Sequence, residues 1–317
     1  MPRQLYRIFL INLFLAVFLL NCVWACDICT VPRLGKEEGL KVESQDGKWF
    51  FKYLFEQQNW HEKEGGEGHA LHDQGHHFHN KAREDFHHLV LGGNLGEALS
   101  VSAEIPYVIR HSIEVEDHDI LGSKQKSEGL GDIFLIGQYA LSKQEASKFN
   151  VVAGVKFPTG GTEEKNSAGT TFESELQPGS GSFDYLVGGI YKHTSGPWAL
   201  TGNLAYVFKT EGDHDFEFGD LLSTSLFIDY TLNPQSDAWI TTFGLDTNLQ
   251  YEQKQEEAGD KVADSGGVTL LMGPALMIAA NQRVSFFANV MLPVYQDLGG
   301  VHQELDYIWT AGGKIIW

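Results

Sequence analysis

From Lys48 to Trp317 apolar side chains fall at every second position in segment after segment, and the links between segments alternate long and short. A two-residue period describes a strand with one apolar face. Twelve such segments can be read. The first carries Trp49, Phe51, Tyr53 and Phe55, the sixth Phe183, Tyr185, Val187 and Tyr191, and the last Tyr307, Trp309, Ile315 and Trp317. The long links cover about 61–85, 110–129, 158–181, 210–220, 252–266 and 295–304; compact turns lie between them at 94–97, 142–148, 193–197, 233–236 and 280–282. A soluble sandwich also alternates, but it has no reason to keep this rhythm. Short turns on one side with long loops on the other are the mark of an outer-membrane barrel. The expected fold is all-β: a transmembrane outer-membrane β-barrel of about 12 antiparallel strands over 48–317.

The ends of the chain fit export. Residues 1–25 read as a signal peptide, with Arg3 and Arg7 before an apolar run at 8–20 and Val23-Trp24-Ala25 at the cleavage point. A membrane anchor is the alternative, and the run is short for a span. Beyond it no window approaches the apolar length of a membrane helix. Residues 26–47 form an expected periplasmic segment whose Cys26 and Cys29 can close as a disulfide. Lipidation of Cys26 and a redox pair are the other readings. Thr30 follows the pair, which excludes haem attachment, and no second pair exists for a four-thiolate zinc site. Trp317 at the C-terminus resembles the terminal aromatic by which the barrel-assembly machinery recognises its clients. The net charge of −19 excludes a nucleic-acid partner. The expected location is the bacterial outer membrane, with its lipid as partner.

The face opposite the apolar one is polar or small, and in a barrel it lines the lumen. It carries Glu104, Asp132, Lys156, Asp184, Lys192, Asp229, Asp246 and Arg283, together with Lys52, Glu56, Lys209, Asn289 and Lys314. Both signs of charge suit a narrow polar passage for a small solute or ion. A barrel of this size filled by its own side chains is the competing reading. An enzyme is not expected: no GxSxG occurs, and His87, which faces lipid by parity, has no outward serine at a matching height.

Residues 61–88 hold eight of the thirteen histidines. With a periplasmic N-terminus this stretch is the first outer loop and its rim, and His111, His118, His214 and His302 fall in other outer loops. Neutral imidazole binds zinc or copper. His69, His72, His76, His77 and His79, with His87 and His88 at the rim, are the candidate ligands, and Glu62, Glu64, Glu67 and Asp73 would favour cations beside them. The spacing is not that of a zinc-protease helix, since HExxH is absent and four glycines interrupt the run. A hydrated loop without metal remains the other reading. No cofactor is otherwise called for.

Three motifs stand apart from the strand pattern: Gly129-Leu130-Gly131-Asp132 entering the fourth segment, Val155-Lys156-Phe157-Pro158-Thr159-Gly160 leaving the fifth, and Gly179-Ser180-Gly181-Ser182-Phe183-Asp184 entering the sixth. Together they resemble the outer-membrane transporter family named for the meta-pathway of phenol degradation. Cys26-Asp27-Ile28-Cys29 is similar to the branch of such barrels that begins with CDxC. The resemblance covers 99–230 well and implies a barrel of transport function. Read physically, Gly129 and Gly131 permit a bend, Pro158 ends ladder pairing, and Asp132 reaches Lys156 on the adjacent strand. The expected function is a channel or transporter for a small solute or ion, with an acidic, histidine-rich mouth that gathers metal. A metal-binding surface protein anchored by its barrel is the alternative, and a barrel hydrolase a weaker one.

Overall fold

In the computed structural model the described residues are 48–62, 79–114, 123–144, 146–234, 239–263, 265–298 and 303–317. The signal peptide, Cys26, Cys29 and His69 to His77 lie outside them. The strands in chain order are β1 (Trp49–Glu62), β2 (His79–Asn94), β3 (Leu99–Glu114), β4 (Ser123–Leu130), β5 (Ile133–Lys143) and β6 (Ser147–Phe157), then β7 (Asp184–Ser195), β8 (Trp198–Phe208), β9 (Phe216–Glu217), β10 (Leu221–Thr231) and β11 (Ile240–Glu252). The remainder are β12 (Glu256–Glu257), β13 (Asp260–Lys261), β14 (Gly267–Ala279), β15 (Val284–Leu298) and β16 (Gln303–Ile316).

Each long strand pairs antiparallel with its neighbours, and β1 pairs with both β2 and β16, so the sheet closes on itself. Closure removes the unpaired edges that an open sheet must protect. β4 and β5 occupy one position against β3, interrupted at Gly131-Asp132: Tyr107 pairs with Leu130 and Glu104 with Phe134. The barrel therefore has the twelve strand positions expected. β9, β12 and β13 form a separate small sheet on the outer loops.

The outward face is apolar and exposed, as a lipid-facing wall must be. Trp198, Trp239, Tyr139 and Tyr191 lie toward the short turns, and Phe157, Phe183, Phe208, Tyr251 and Tyr295 toward the long loops. Two such aromatic bands mark the two interfaces of a bilayer.

Two expectations are corrected. The loops are shorter than 61–85, 110–129 and 295–304, because β1 runs to Glu62, β2 starts at His79, β3 reaches Glu114, β4 starts at Ser123, and β15 and β16 extend to Leu298 and from Gln303. Above the lipid the outward positions turn polar, at Gln57 and Asn59 on β1 and Arg83 and Asp85 on β2. The apolar alternation stops there, but the backbone ladder needs no apolar side chains and continues. The second correction concerns the lumen, which is not merely polar or small. Three apolar clusters line it: Phe134, Ile136, Val152, Leu186, Ile190, Val207 and Leu221; Phe227, Met277 and Ala279; and Leu271, Met291, Leu305 and Ile308. A twelve-strand interior is narrow enough for opposed side chains to meet, so burial favours apolar residues there.

Candidate functional site

The three motifs meet at one place, the loop-side end of the lumen between β4 and β7. β4 pairs with β3, while β6 ends at Phe157, so at this height the connection 158–183 closes the wall. Its residues replace the missing ladder. Thr159 Oγ1 accepts the Ile133 amide at 3.0 Å and donates to the Gly131 carbonyl at 3.3 Å, and the Gly161 amide reaches the Leu130 carbonyl.

Asp132, at the break, is the anchor. Its carboxylate accepts the Gly160 amide at 2.9 Å, the Ser180 amide at 2.9 Å and the Ser180 hydroxyl at 2.8 Å. Both ends of the connection are thereby held by one side chain. Lys156 Nζ lies 3.3 Å from Asp132 Oδ2 and 2.5 Å from Asp184 Oδ2, and Lys209 Nζ lies 3.4 Å from the same Asp184 oxygen. Ser182 donates to Asp184 at 2.9 Å, and Lys156 also reaches Ser182 at 3.2 Å. Asp132, Lys156, Ser182 and Asp184 are buried, with Asp184 0% exposed, and Ser180 is half-buried. Charges this dehydrated need mutual pairing and saturated hydrogen bonding, which the serines and loop amides provide.

The connection also folds inward. Arg110 on β3 makes an ion pair with Glu84 on β2 at 2.6 Å and donates to the Gln177 carbonyl of the connection. The Gln177 side chain, 2% exposed, accepts the Glu164 amide at 2.9 Å and donates to the Phe172 and Glu164 carbonyls at 2.9 and 3.1 Å. Pro178 sits so close to the β4–β5 break that a Cβ on Gly129 would lie 3.0 Å from its ring. Gly160 and Gly179 cross backbone to backbone, and a Cβ on Gly160 would fall 2.5 Å from the Gly179 Cα. The three motifs thus build a loop latched into the barrel mouth.

The family described as "Putative MetA-pathway of phenol degradation" matches residues 76–296, well over half of the chain. This chain belongs to that family. Among solved structures, it is similar to an outer membrane channel from Pseudomonas putida F1, with 14% identity and a TM-score of 0.63 over 87% of this chain and 98% of that one. It is also similar to the β domain of the Bordetella autotransporter BrkA, with 9% identity and a TM-score of 0.50 over 86% of this chain and 100% of that one. At these identities the likeness establishes the outer-membrane barrel fold. No curated protein matches the sequence.

The remaining predicted residues are dispersed. Glu104 faces inward and pairs with His88, whose Nδ1 lies 2.7 Å from Glu104 Oε1. Asp229 and Asp246 are buried on the inner wall, where Asn289 donates to Asp246 at 3.4 Å. Lys192 is half-buried and close enough to Asp229 for their charges to interact. Arg283 does not face the lumen: it is exposed in the turn before β15, beyond the last ladder residue. His87 and His88 cannot share a metal, because consecutive strand residues point to opposite faces. His87 is on the outer wall, 2.7 Å from the Tyr53 hydroxyl and packed on Phe55 and Tyr107. His79 begins β2 and is not part of a loop. Arg110, Glu84, Gln177, Ser180 and Ser182 were missed. The one sequence signal for the serines is their place beside Asp184 in the glycine/serine motif, which reads as ordinary strand entry.

Proposed function

We propose that this protein is an outer-membrane channel for small, largely apolar solutes, and that the 158–183 connection is its gate. The observation that carries this reading is the inward latch. A loop whose two ends share one buried carboxylate, and whose Gln177 is tied to the buried Arg110 on β3, is placed to control entry. The apolar clusters behind it favour a solute that exchanges water for hydrocarbon contact over a free ion. This narrows the solute-or-ion expectation. Family membership supports a transport role.

The test is planar-bilayer recording and liposome swelling with the full chain. Wild type is expected to show brief, rare openings, and a variant with Asp132→Ala to open more often and admit larger solutes. A silent wild type together with a silent Asp132→Ala variant would sink the channel.

A second reading rests on the placement of histidines along the chain. The stretch between β1 and β2 opens on the outer side and contains His69, His72, His76 and His77 among carboxylates. We infer that this mouth gathers divalent cations such as zinc or copper. Equilibrium binding of zinc to whole cells that carry or lack those histidines tests it.

A further inference from the structure

Glycine inside a strand weakens it, because it adds no side chain to the packing, and it often marks a place where another group comes close to the backbone. Among the described residues, three aromatic side chains face the periplasmic half of the lumen: Phe50 at the start of β1, Phe287 near the start of β15 and Phe227 in the second half of β10. Parity puts them inward. Phe50 alternates with the buried Leu54, Phe227 with the buried Ser225 and Asp229, and Phe287 with the buried Ser285.

Each of these rings lies over a glycine of the neighbouring strand. A Cβ on Gly92 of β2 would fall 2.5 Å from the tip of the Phe50 ring, one on Gly244 of β11 would overlap the tip of the Phe227 ring, and one on Gly312 of β16 would overlap the Phe287 ring. Phe50 is directly opposite Gly92, and Phe287 directly opposite Gly312. Phe227 reaches Gly244 on the diagonal, since the residue opposite Gly244 is Asp229.

A strand side chain ordinarily stands away from the sheet, and in a narrow barrel that direction is into the lumen. Over a glycine the ring leans along the wall and rests on backbone, where a methyl group would prop it up. Other contacts hold the rings there. Lys314 Nζ lies 4.4 Å from the centroid of the Phe50 ring, and Phe227 and Phe287 pack in one apolar cluster with Met277 and Ala275. At Gly244 the two atoms nearest to an added Cβ both belong to the Phe227 ring, and the next, the Ile228 carbonyl oxygen, is 3.3 Å away. The ring is therefore what would move.

We propose that Gly92, Gly244 and Gly312 are seats that hold Phe50, Phe227 and Phe287 against the wall, and that these three pairs set the width of the periplasmic half of the lumen. They are the size-selecting element of the passage, separate from the loop at its outer mouth. This rests on the channel reading and deepens it by naming residues that decide which solutes pass.

The experiment uses the full chain and a mutant cycle of Gly244→Ala, Phe227→Ala and the two together, with Gly137→Ala as control, where an added Cβ meets nothing closer than 3.8 Å. Seating is measured first, by urea unfolding in detergent. Gly244→Ala is expected to lower the midpoint when Phe227 is present and to leave it unchanged in the Phe227→Ala barrel. A Gly244→Ala barrel that fails to fold while the double variant folds shows the same coupling. An equal loss in both backgrounds, or a double variant that also fails to fold, would overturn the proposal, since the glycine would then serve the backbone alone. Passage is measured next, by bilayer recording and liposome swelling with Asp132→Ala added throughout to unlatch the outer loop. Gly244→Ala is expected to reduce unit conductance and to slow swelling most for the bulkiest solutes, and Phe227→Ala to restore both. Coupling in urea with unchanged conductance and swelling would remove these pairs as the size-selecting element. Silence of every barrel would instead remove the channel reading, and with it the claim about passage, whatever the urea result.

Discussion

Lys156 and Asp184 face each other directly across β6 and β7, with Nζ and Oδ2 2.5 Å apart, and Asp132 completes the contact from the end of the broken strand. One buried cation thus joins two strands and the loop that bridges them. The consequences of disturbing this relationship are specific.

Asp184→Asn removes the carboxylate shared by Lys156 and Lys209 and leaves two cations without it in a buried site. Breaking one side of a buried pair costs about 3–5 kcal/mol, far more than the intact pair contributes over an apolar substitute. Urea titration of the folded barrel in detergent is expected to show that loss. A change below about 1 kcal/mol would mean the site is hydrated and weakly coupled.

Gly160→Ala or Gly179→Ala forces a methyl group into the backbone crossing where the loop enters and leaves the mouth. Backbone cannot move aside as a flexible side chain can, so the loop must lift. Both variants are expected to become sensitive to protease within 158–183 while the barrel keeps its heat-modifiable migration. Intact loops would show that the crossing adjusts without unlatching.

Glu217 in the small outer sheet is held above its ordinary pKa, first by burial and then by Glu256, Asp220, Glu211 and Asp184. For an acid with a raised folded pKa, the sheet is most stable below the ordinary value and loosens as pH rises through the raised one. Amide protection at 216–217 and 256–257, taken relative to the intrinsic exchange rate at each pH, should therefore fall from acid toward neutrality. Glu217→Gln should flatten that dependence, and an unchanged profile would remove Glu217 as its source.

Replacing His69, His72, His76, His77 and His79 together is expected to abolish most zinc binding to the outer mouth, measured by isothermal titration. His87→Phe should leave it unchanged, because that ring is engaged with Tyr53 on the lipid-facing wall. Loss of zinc binding in the His87 variant alone would reverse the assignment.

Much of the fold was legible in the side-chain period. Trp49, Phe51 and Tyr53 on one face, with Lys52 and Glu56 on the other, make β1 a strand with one apolar face, and the rhythm of long and short links puts that face in a bilayer. The extensions of β1 and β2 above the lipid were not legible. Gln57, Asn59, Arg83 and Asp85 carry no apolar signal, although they continue the ladder, with Gln57 donating to Asp85 across it and Arg83 to Asp85 along β2. The inward apolar residues were hidden for a related reason. Phe134, Ile136 and Val152 interrupt the polar face of their strands, and their purpose appears only when the opposite wall is near. Of the site, Asp132 and Lys156 were readable as neighbours on adjacent strands. Arg110, Glu84 and Gln177 were not, since their contacts join β2, β3 and a loop that enters the chain some fifty residues later.

The amino-acid sequence by itself determined the strand count, the face each strand gives to lipid, and the pairing of long loops on one side with short turns on the other. These follow from local periodicity and turn length, which act within a few residues. Only the tertiary structure decided that the loop between β6 and β7 folds inward and that Asp132 ties both its ends. Register and closure bring those groups together, and both are properties of the closed sheet, set by all twelve strand positions at once.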